Sequence, residues 1–288
     1  MTADSSVGTD SAAPADARVP PTALTIAGSD SGGGAGIQAD LRTFFACGVH
    51  GMTAVTAVTV QNSLGVEDFA EIPSNVVTAQ IRAVTGDMGT RAAKTGMLAT
   101  AEIITAVAKT LGDVGIGRET TVPFVVDPVA ASMHGDSLLR EEALEAIRTE
   151  LLPRATLVTP NLDEVRLLTG VEVTDVASRR AAADALLALG PQWVLVKGGH
   201  DTGPRCVDLL SDGTTHVELD GPRHDTPHTH GGGDTLASAI TASLAKGADV
   251  PTAAGEGKRF IERCVADAYP LGDGIGPVSP FWRLDTET

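Results

Sequence analysis

Cysteine is scarce in this chain. Cys47, Cys206 and Cys264 are odd in number and widely separated, which excludes a disulfide framework and the paired spacing of a metal knuckle. Reduced, buried thiols are expected instead. Long apolar runs are missing too. Without a stretch of about 18 apolar residues, or a basic start leading into an apolar core, neither a membrane span nor a secretory signal is expected, and the expected location is cytoplasmic. Positive charge is in deficit: 21 Lys and Arg stand against 37 Asp and Glu, a net charge of -16. Such a surface repels nucleic acid and anionic membranes, which leaves a small molecule in a locally positive pocket as the expected partner.

What is present is ordinary globular material, with 42% hydrophobic and 20% charged residues over 288 positions. Residues 1–20, rich in Ser, Ala, Asp and Pro and without apolar periodicity, are expected to be a disordered acidic tail. Residues 21–288 are expected to form one domain. From Ala23 a strand, ALTIAG, leads to a helix, GIQADLRTFFACG, and then to the β-branched strand MTAVTAVTV. Ser74 is expected to cap the helix NVVTAQIRAVTG; the strand AAKTG, the helix AEIITAVAKTLG and the buried strand TVPFVVDP follow. SLLREEALEAIRTELLP reads as an amphipathic helix with a Pro-marked end, before the strand ATLVTP, helices in NLDEVRLLTG and ASRRAAADALLALG, and the strand WVLVKGG. A hairpin turning at Asp212-Gly213 and two helices, at about 233–246 and 251–269, complete the chain. This alternation predicts an α/β fold with a mostly parallel central sheet covered by helices on both faces.

In such a sheet, ligands bind beyond the carboxyl ends of the strands. Polar and glycine residues gather at those ends: GSDSGGGAG, TVQN, KTGM, VDPV, TPNLDE and KGGH. Near the C-terminus, HTHGGGDTLASAI sets Gly231, Gly232 and Gly233 before a helix whose first turn begins at about Asp234. Consecutive N–H groups at a helix start suit a phosphate or a developing phosphoryl charge. A carboxylate beside an anion site suits removal of a proton from an attacking hydroxyl, although Asp234 also fits a simple helix cap. The earlier cluster, GSDSGGGAGIQAD, matches neither the dinucleotide G-x-G-x-x-G spacing nor the P-loop; it is either a packing turn or a wall of an acceptor site. His228 and His230 form an H-x-H pair without a third ligand, which reads as loop polarity rather than a metal site.

Taken in order, ALTIAGSDSGGGAGIQADL, TAVTVQN, KTGML, DPV, LVTPNLDEVRLLTG, VLVKGGH, HTHGGGDT and GIGPV resemble the ribokinase-like kinases, and within them the hydroxymethylpyrimidine and phosphomethylpyrimidine kinases of thiamine biosynthesis. The resemblance covers roughly residues 21–280 and implies a three-layer α/β/α sandwich, ATP and Mg²⁺ as cofactors, a pyrimidine substrate phosphorylated twice, and a homodimer. It places Asp234 on the catalytic position and Gly231, Gly232 and Gly233 on the anion hole. Many pyrimidine kinases carry Cys where Asp234 stands, and Thr or Ser is frequent where Gly232 stands. Gln61, with Gly28, Asp40 and Met97, falls on the acceptor pocket; Asn161 and Lys197 fall on the nucleotide region; Asp127 and Glu164 fall near the magnesium ion.

Read singly, these residues also have plain structural uses. Gln61 can close a strand, Met97 can pack a core, Asp127 can turn before Pro128, Asn161 can cap a helix, and Lys197 can be a solvated charge. Three other functions remain open at this point. Pyridoxal kinase uses the same machinery on a pyridine ring, a sugar kinase of the same fold would take a polyol, and a pyrimidine-binding sensor would keep the pocket without turnover.

Overall fold

A computed structural model describes residues 19–129, 141–199 and 203–284. The expected tail, up to residue 18, and the start of the expected helix SLLREEALEAIRTELLP lie outside the described residues. The chain runs through β1 (Thr22–Ser29), α1 (Gly36–Ala46), β2 (His50–Asn62), β3 (Gly65–Glu71), α2 (Ser74–Asp87), β4 (Ala92–Thr95), α3 (Ala101–Asp113) and β5 (Phe124–Val126). It continues through α4 (Glu141–Ala146), β6 (Leu157–Val158), α5 (Leu162–Thr169), α6 (Val176–Leu187), β7 (Trp193–Val196), β8 (Arg205–Ser211), β9 (His216–Pro222), α7 (Gly232–Ala245) and α8 (Val250–Ala266).

The strands join in one nine-stranded sheet, in the order β3-β2-β1-β4-β5-β6-β7-β8-β9. Six central strands are parallel, while β3 on one edge and β8 on the other run against them, and β9 pairs antiparallel with β8. Alternate residues of the buried strands feed two cores. Leu24, Ile26, Phe124, Val126, Val194 and Val196 pack with α2 to α6, through side chains such as Ile81, Ile104, Val165 and Leu186. Ala23, Val125, Leu157, Leu195 and Leu210 pack on the opposite side with α1, α7 and α8, through Phe44, Ile240 and Ala253. The three layers expected from the alternation are therefore present.

Local departures have physical reasons. The strand β3 was not expected, because GVEDFAE carries no apolar alternation; as an edge strand it pairs on one side only and stays largely exposed. Ser74 does not cap α2. Pro73, extended at φ -52°, occupies the cap position, and the Ser74 hydroxyl donates instead to Glu102 at 2.6 Å. Beyond α4 the helix loosens into a π turn, in which the Leu152 N–H reaches back to the Ile147 carbonyl. A 3-10 turn around Pro153 then ends it, since proline offers no N–H to continue the ladder. The helix α7 starts two residues before Asp234, and α8 ends at Ala266 rather than 269.

Two features position the site. The chain builds β1, β2 and β3 toward one edge and then crosses to build β4 onward toward the other, so the strand order reverses between β1 and β4. That reversal opens a crevice at the carboxyl ends of the two strands. In β2, an extra residue enters the pairing with β1 between Ala27↔Val55 and Ser29↔Val58. This bulge flips the alternation: Thr59 and Gln61 turn to the crevice, while Val58 and Val60 turn outward, 47% and 53% exposed.

Candidate active site

The two glycine-rich loops meet backbone to backbone above the crevice. Gly231, the cap of α7, has φ 74°, and a Cβ there would lie 1.9 Å from the Gly34 carbonyl oxygen. Only glycine fits. A Cβ on Gly34 would in turn lie 2.3 Å from the His230 ring. The stretch GSDSGGGAG is thus the seat of the loop 230–233, the packing turn of the two readings left open for it, and Gly28, Ser29, Asp30, Ala35 and Gly36 of the same stretch line the cavity. Asp30 organises this seat by accepting N–H bonds from Gly32, Gly34 and Ala35 at 2.7, 2.9 and 2.8 Å, with His230 Nε2 at 3.0 Å from the same carboxyl. Burial alone would raise the Asp30 pKa. The His230 contact and the backbone donors outweigh it and hold the carboxyl below its usual range. His228 is also engaged, its Nδ1 accepting the Gly276 N–H at 3.0 Å.

Asp234 stands in the first turn of α7 with 17% of its side chain exposed. Burial pushes its pKa up to about 6; Lys94 opposes the rise, Asp40 and Asp127 add to it, and the Gly36 N–H opposes it. Lys94 Nζ lies 3.8 Å from Asp234 and 2.7 Å from Asp40, itself without exposed surface. Burial would discharge Lys94, but Asp40, Asp234 and Asp127 outweigh it and raise its pKa. Asp40 also accepts from Thr25 and Ser238, at 2.5 Å each. The expectation that Asp40 touches the acceptor is therefore corrected: it lies beneath the crevice floor, with Lys94, Thr25 and Ser238 occupying its oxygens. Its position holds one lysine between two carboxylates, which leaves Asp234 only partly compensated and basic enough to take a proton.

A second polar group lies beside the loop. Lys197 Nζ is 3.1 Å from Asp127 and 3.9 Å from Glu164, and the Thr159 hydroxyl donates to Asp127 at 3.2 Å. The Lys197 pKa is raised, because Asp127 and Glu164 outweigh the effect of burial, so the ammonium keeps its charge. A Cβ on Gly233 would lie 3.4 Å from Lys197 Nζ and 3.5 Å from Asp127 Oδ2, so the glycine loop and this group border one spot. Gly232 donates its N–H to the Thr229 carbonyl, and an added Cβ would meet Ile261 and Val278 at 3.9 Å, an ordinary contact. Asn161 and Glu164 form a complete capping box on α5, with bonds of 2.8 and 2.9 Å. The contacts of Asn161 are those of a helix cap at the cavity wall.

At the other end, Gly28, Thr59, Gln61 and Met97 form a narrower wall. Thr59 donates to Gln61 Oε1 at 3.2 Å, Gln61 Nε2 lies 3.4 Å from His230 Nε2, and a Cβ on Gly28 would lie 3.5 Å from Met97 Sδ. A flat ring with hydrogen-bonding edges suits an amide facing a thioether. All the expected site residues except Asp40 line one cavity of about 780 Å³, a volume suited to a small molecule together with a second ligand. Sequence reasoning missed Lys94, Asp30, and the group of Asp208, Arg223 and Lys258 at the far end. Lys94 left a signal, a lysine inside the small apolar strand AAKTG. His230 was seen but read as loop polarity.

A doubly wound sheet with a glycine loop, a basic carboxylate and a charged lysine at its switch point defines a ribokinase-like kinase. The profile of the phosphomethylpyrimidine kinase family matches residues 30–279, and the chain belongs to that family. It is 58% identical over 276 residues to the hydroxymethylpyrimidine/phosphomethylpyrimidine kinase of Mycobacterium leprae, covering 94% of this chain and 98% of that one. Identity to the Mycobacterium tuberculosis enzyme of the same name is 59% over 266 residues, covering 92% and 95%. Among solved structures, an ADP complex of Bacillus subtilis pyridoxal kinase superposes with a TM-score of 0.84 at 40% identity, over 93% of this chain and 100% of that one. No helix among the described residues is long and apolar enough to cross a membrane.

Proposed function

We propose that residues 21–288 act in the cytoplasm as a hydroxymethylpyrimidine and phosphomethylpyrimidine kinase, passing the γ-phosphoryl group of ATP first to the hydroxymethyl oxygen and then to the resulting phosphate. The observation that carries this reading is Asp234, with a pKa raised to about 6, set between the glycine loop and a ring-sized wall of Gln61 and Met97. A pyrimidine ring against Gln61 and Gly28 directs its hydroxymethyl group toward Asp234. Asp234 takes the hydroxyl proton as the oxygen attacks the γ-phosphorus and ADP leaves. The N–H groups at the start of α7 and the Lys197 ammonium stabilise the charge on the transferring group. The bound nucleotide in the Bacillus subtilis relative supports ATP as the donor.

Asp127 and Glu164 offer the hard carboxylate oxygens that Mg²⁺ prefers, and Lys197 is the ammonium between them. Held there with the phosphates, the ion would supply charge neutralisation to the leaving diphosphate. The outward Val58 and Val60 on the edge hairpin support a homodimer built on this flank.

Pyridoxal is the second reading, favoured by the fold shared with the Bacillus subtilis pyridoxal kinase. The two separate when purified protein, ATP and Mg²⁺ are supplied with equal amounts of both acceptors and the products are resolved by mass. Mono- and diphosphorylated pyrimidine are expected to dominate. Pyridoxal phosphate as the main product would move the assignment to the second reading.

A further inference from the structure

At the cavity end away from Gln61, two cations stand where a phosphate or a nucleobase would be expected to meet them. Both are turned elsewhere. Lys258 of α8 is 5% exposed, and Nζ donates to the Cys206 carbonyl at 2.9 Å, to Cys206 Sγ at 3.3 Å and to Asp208 Oδ2 at 3.0 Å. Glu262 lies a further 3.8 Å away. An ammonium has three donors, so none is left for a ligand. Burial pushes the Cys206 thiol up, which leaves its sulfur a neutral acceptor. The other oxygen of Asp208, Oδ1, accepts the Gly198 N–H at 2.7 Å. Arg223 points the same way: Nε, Nη1 and Nη2 donate to the carbonyls of Gly203, Gly199 and Gly198 at 2.7, 2.7 and 3.2 Å.

These bonds converge on the turn that leaves β7 just after Lys197. The neighbouring Lys197 has a separate anchor, its N–H donating to the Pro160 carbonyl at 2.9 Å. The turn and the lysine are thus held by different parts of the sheet. Gly199, Cys206, Asp208, Arg223 and Lys258 line the cavity beyond Lys197, in the space left for the nucleoside once the acceptor fills the Gln61 end and the phosphates the glycine loop.

We propose that Asp208 and Lys258, with Arg223, are positioning residues for ATP: they touch no phosphate, but hold the Gly198–Gly199 turn as the wall against which the nucleoside binds. This rests on the kinase reading above. The mechanism separates affinity from chemistry, because Asp234, Lys197 and the glycine loop keep their own supports when the turn loosens.

The test removes the ion pair without leaving a lone buried charge, which would itself unfold the site. In Asp208→Asn/Lys258→Met the amide oxygen still accepts the Gly198 N–H; in Asp208→Leu/Lys258→Met nothing does. Loss of that charge-assisted bond is expected to raise KM for ATP about tenfold in the Leu/Met protein. In the Asn/Met protein KM for ATP should stay within about threefold of wild type, while kcat and KM for the pyrimidine hold in both. Arg223→Ala, which disturbs a half-buried surface group, should also raise KM for ATP severalfold and serves if the Leu/Met protein fails to fold. Unchanged ATP affinity in the folded Leu/Met or Arg223→Ala protein, or a loss that falls on kcat or on the acceptor, would overturn the proposal.

Calorimetric titration with the non-transferable analogue AMP-PCP reads the same ratios without an acceptor. If wild-type protein binds the analogue but phosphorylates neither pyrimidine nor pyridoxal, the kinase reading fails while the binding ratios still decide the role of Asp208 and Lys258. If it binds no analogue, both fall.

Discussion

Lys94 shows how much of this site depends on a charge that no ligand touches. It is buried without exposed surface between Asp40 and Asp234, and removing it would strand the Asp40 carboxylate. Lys94→Met is expected to cost about 3–5 kcal/mol, with Lys94→Met/Asp40→Leu recovering most of the loss, as read from urea midpoints of the two proteins. Asp234 carries the opposite sign. Its folded pKa of about 6 lies above the ordinary aspartate value of 3.8, so between these values the folded state binds more protons than the unfolded chain, and stability falls as pH rises through that window. Asp234→Asn is therefore expected to melt several degrees higher than wild type at pH 7 and to show no such gain near pH 3, a difference that calorimetry at the two pH values would check. In the wild-type enzyme the rate of the first phosphorylation should fall below about pH 6, where Asp234 becomes protonated. A profile flat to pH 5 would remove it as the proton acceptor.

At the scale of elements, the glycine loop that starts α7 makes opposite demands at adjacent positions. Gly231 has φ 74° and a carbonyl oxygen 1.9 Å from where a Cβ would sit, so Gly231→Ala is expected to cost about 2 kcal/mol and most of the activity. At Gly232, one residue on, an added Cβ would meet Ile261 and Val278 at 3.9 Å, an ordinary contact; Gly232→Ser should therefore leave the melting temperature within a degree or two and keep most of the activity. Denaturation and steady-state kinetics on the pair would separate backbone geometry from ligand contact. The helix starts and buried strands were legible in the sequence because periodicity and glycine stops report directly on burial. The edge strand β3 was not, since its GVEDFAE sequence is polar and its pairing is supplied by β2. Nor was the bulge in β2 legible: it depends on register against β1, and beyond it Gln61 turns inward while Val58 turns outward. Ser74 looked like a cap because its type and place fit one, but Glu102 from α3 competes for its hydroxyl.

For the whole molecule, the sheet order gathers residues from six strand ends at one switch point, and this is why isolated motifs in the sequence point to a single cavity. Asp127, Glu164, Lys197 and Asp234 come together there as expected, from β5, α5, β7 and α7. Asp40 was misplaced because spacing along α1 shows which residues share a face, not whether a neighbouring strand has a lysine beneath them. The group of Asp208, Lys258 and Arg223 left no pattern at all, since its members are brought together only by packing of α8 on the hairpin of β8 and β9. The proposed dimer belongs to this scale as well. Replacing Val58 and Val60 with Lys is expected to shift the protein from dimer to monomer in light scattering, without loss of the fold.

The most direct test of the account is the rate of each phosphoryl transfer in Asp234→Asn and wild type, followed by mass from hydroxymethylpyrimidine and, separately, from its monophosphate. The hydroxyl must lose a proton during attack, whereas the phosphate of the second step, with a second pKa of about 6, is already largely ionised near neutral pH. The first step is expected to slow by about 10²–10⁴-fold and the second far less. Equal losses in both steps would contradict Asp234 as the base that takes the hydroxyl proton.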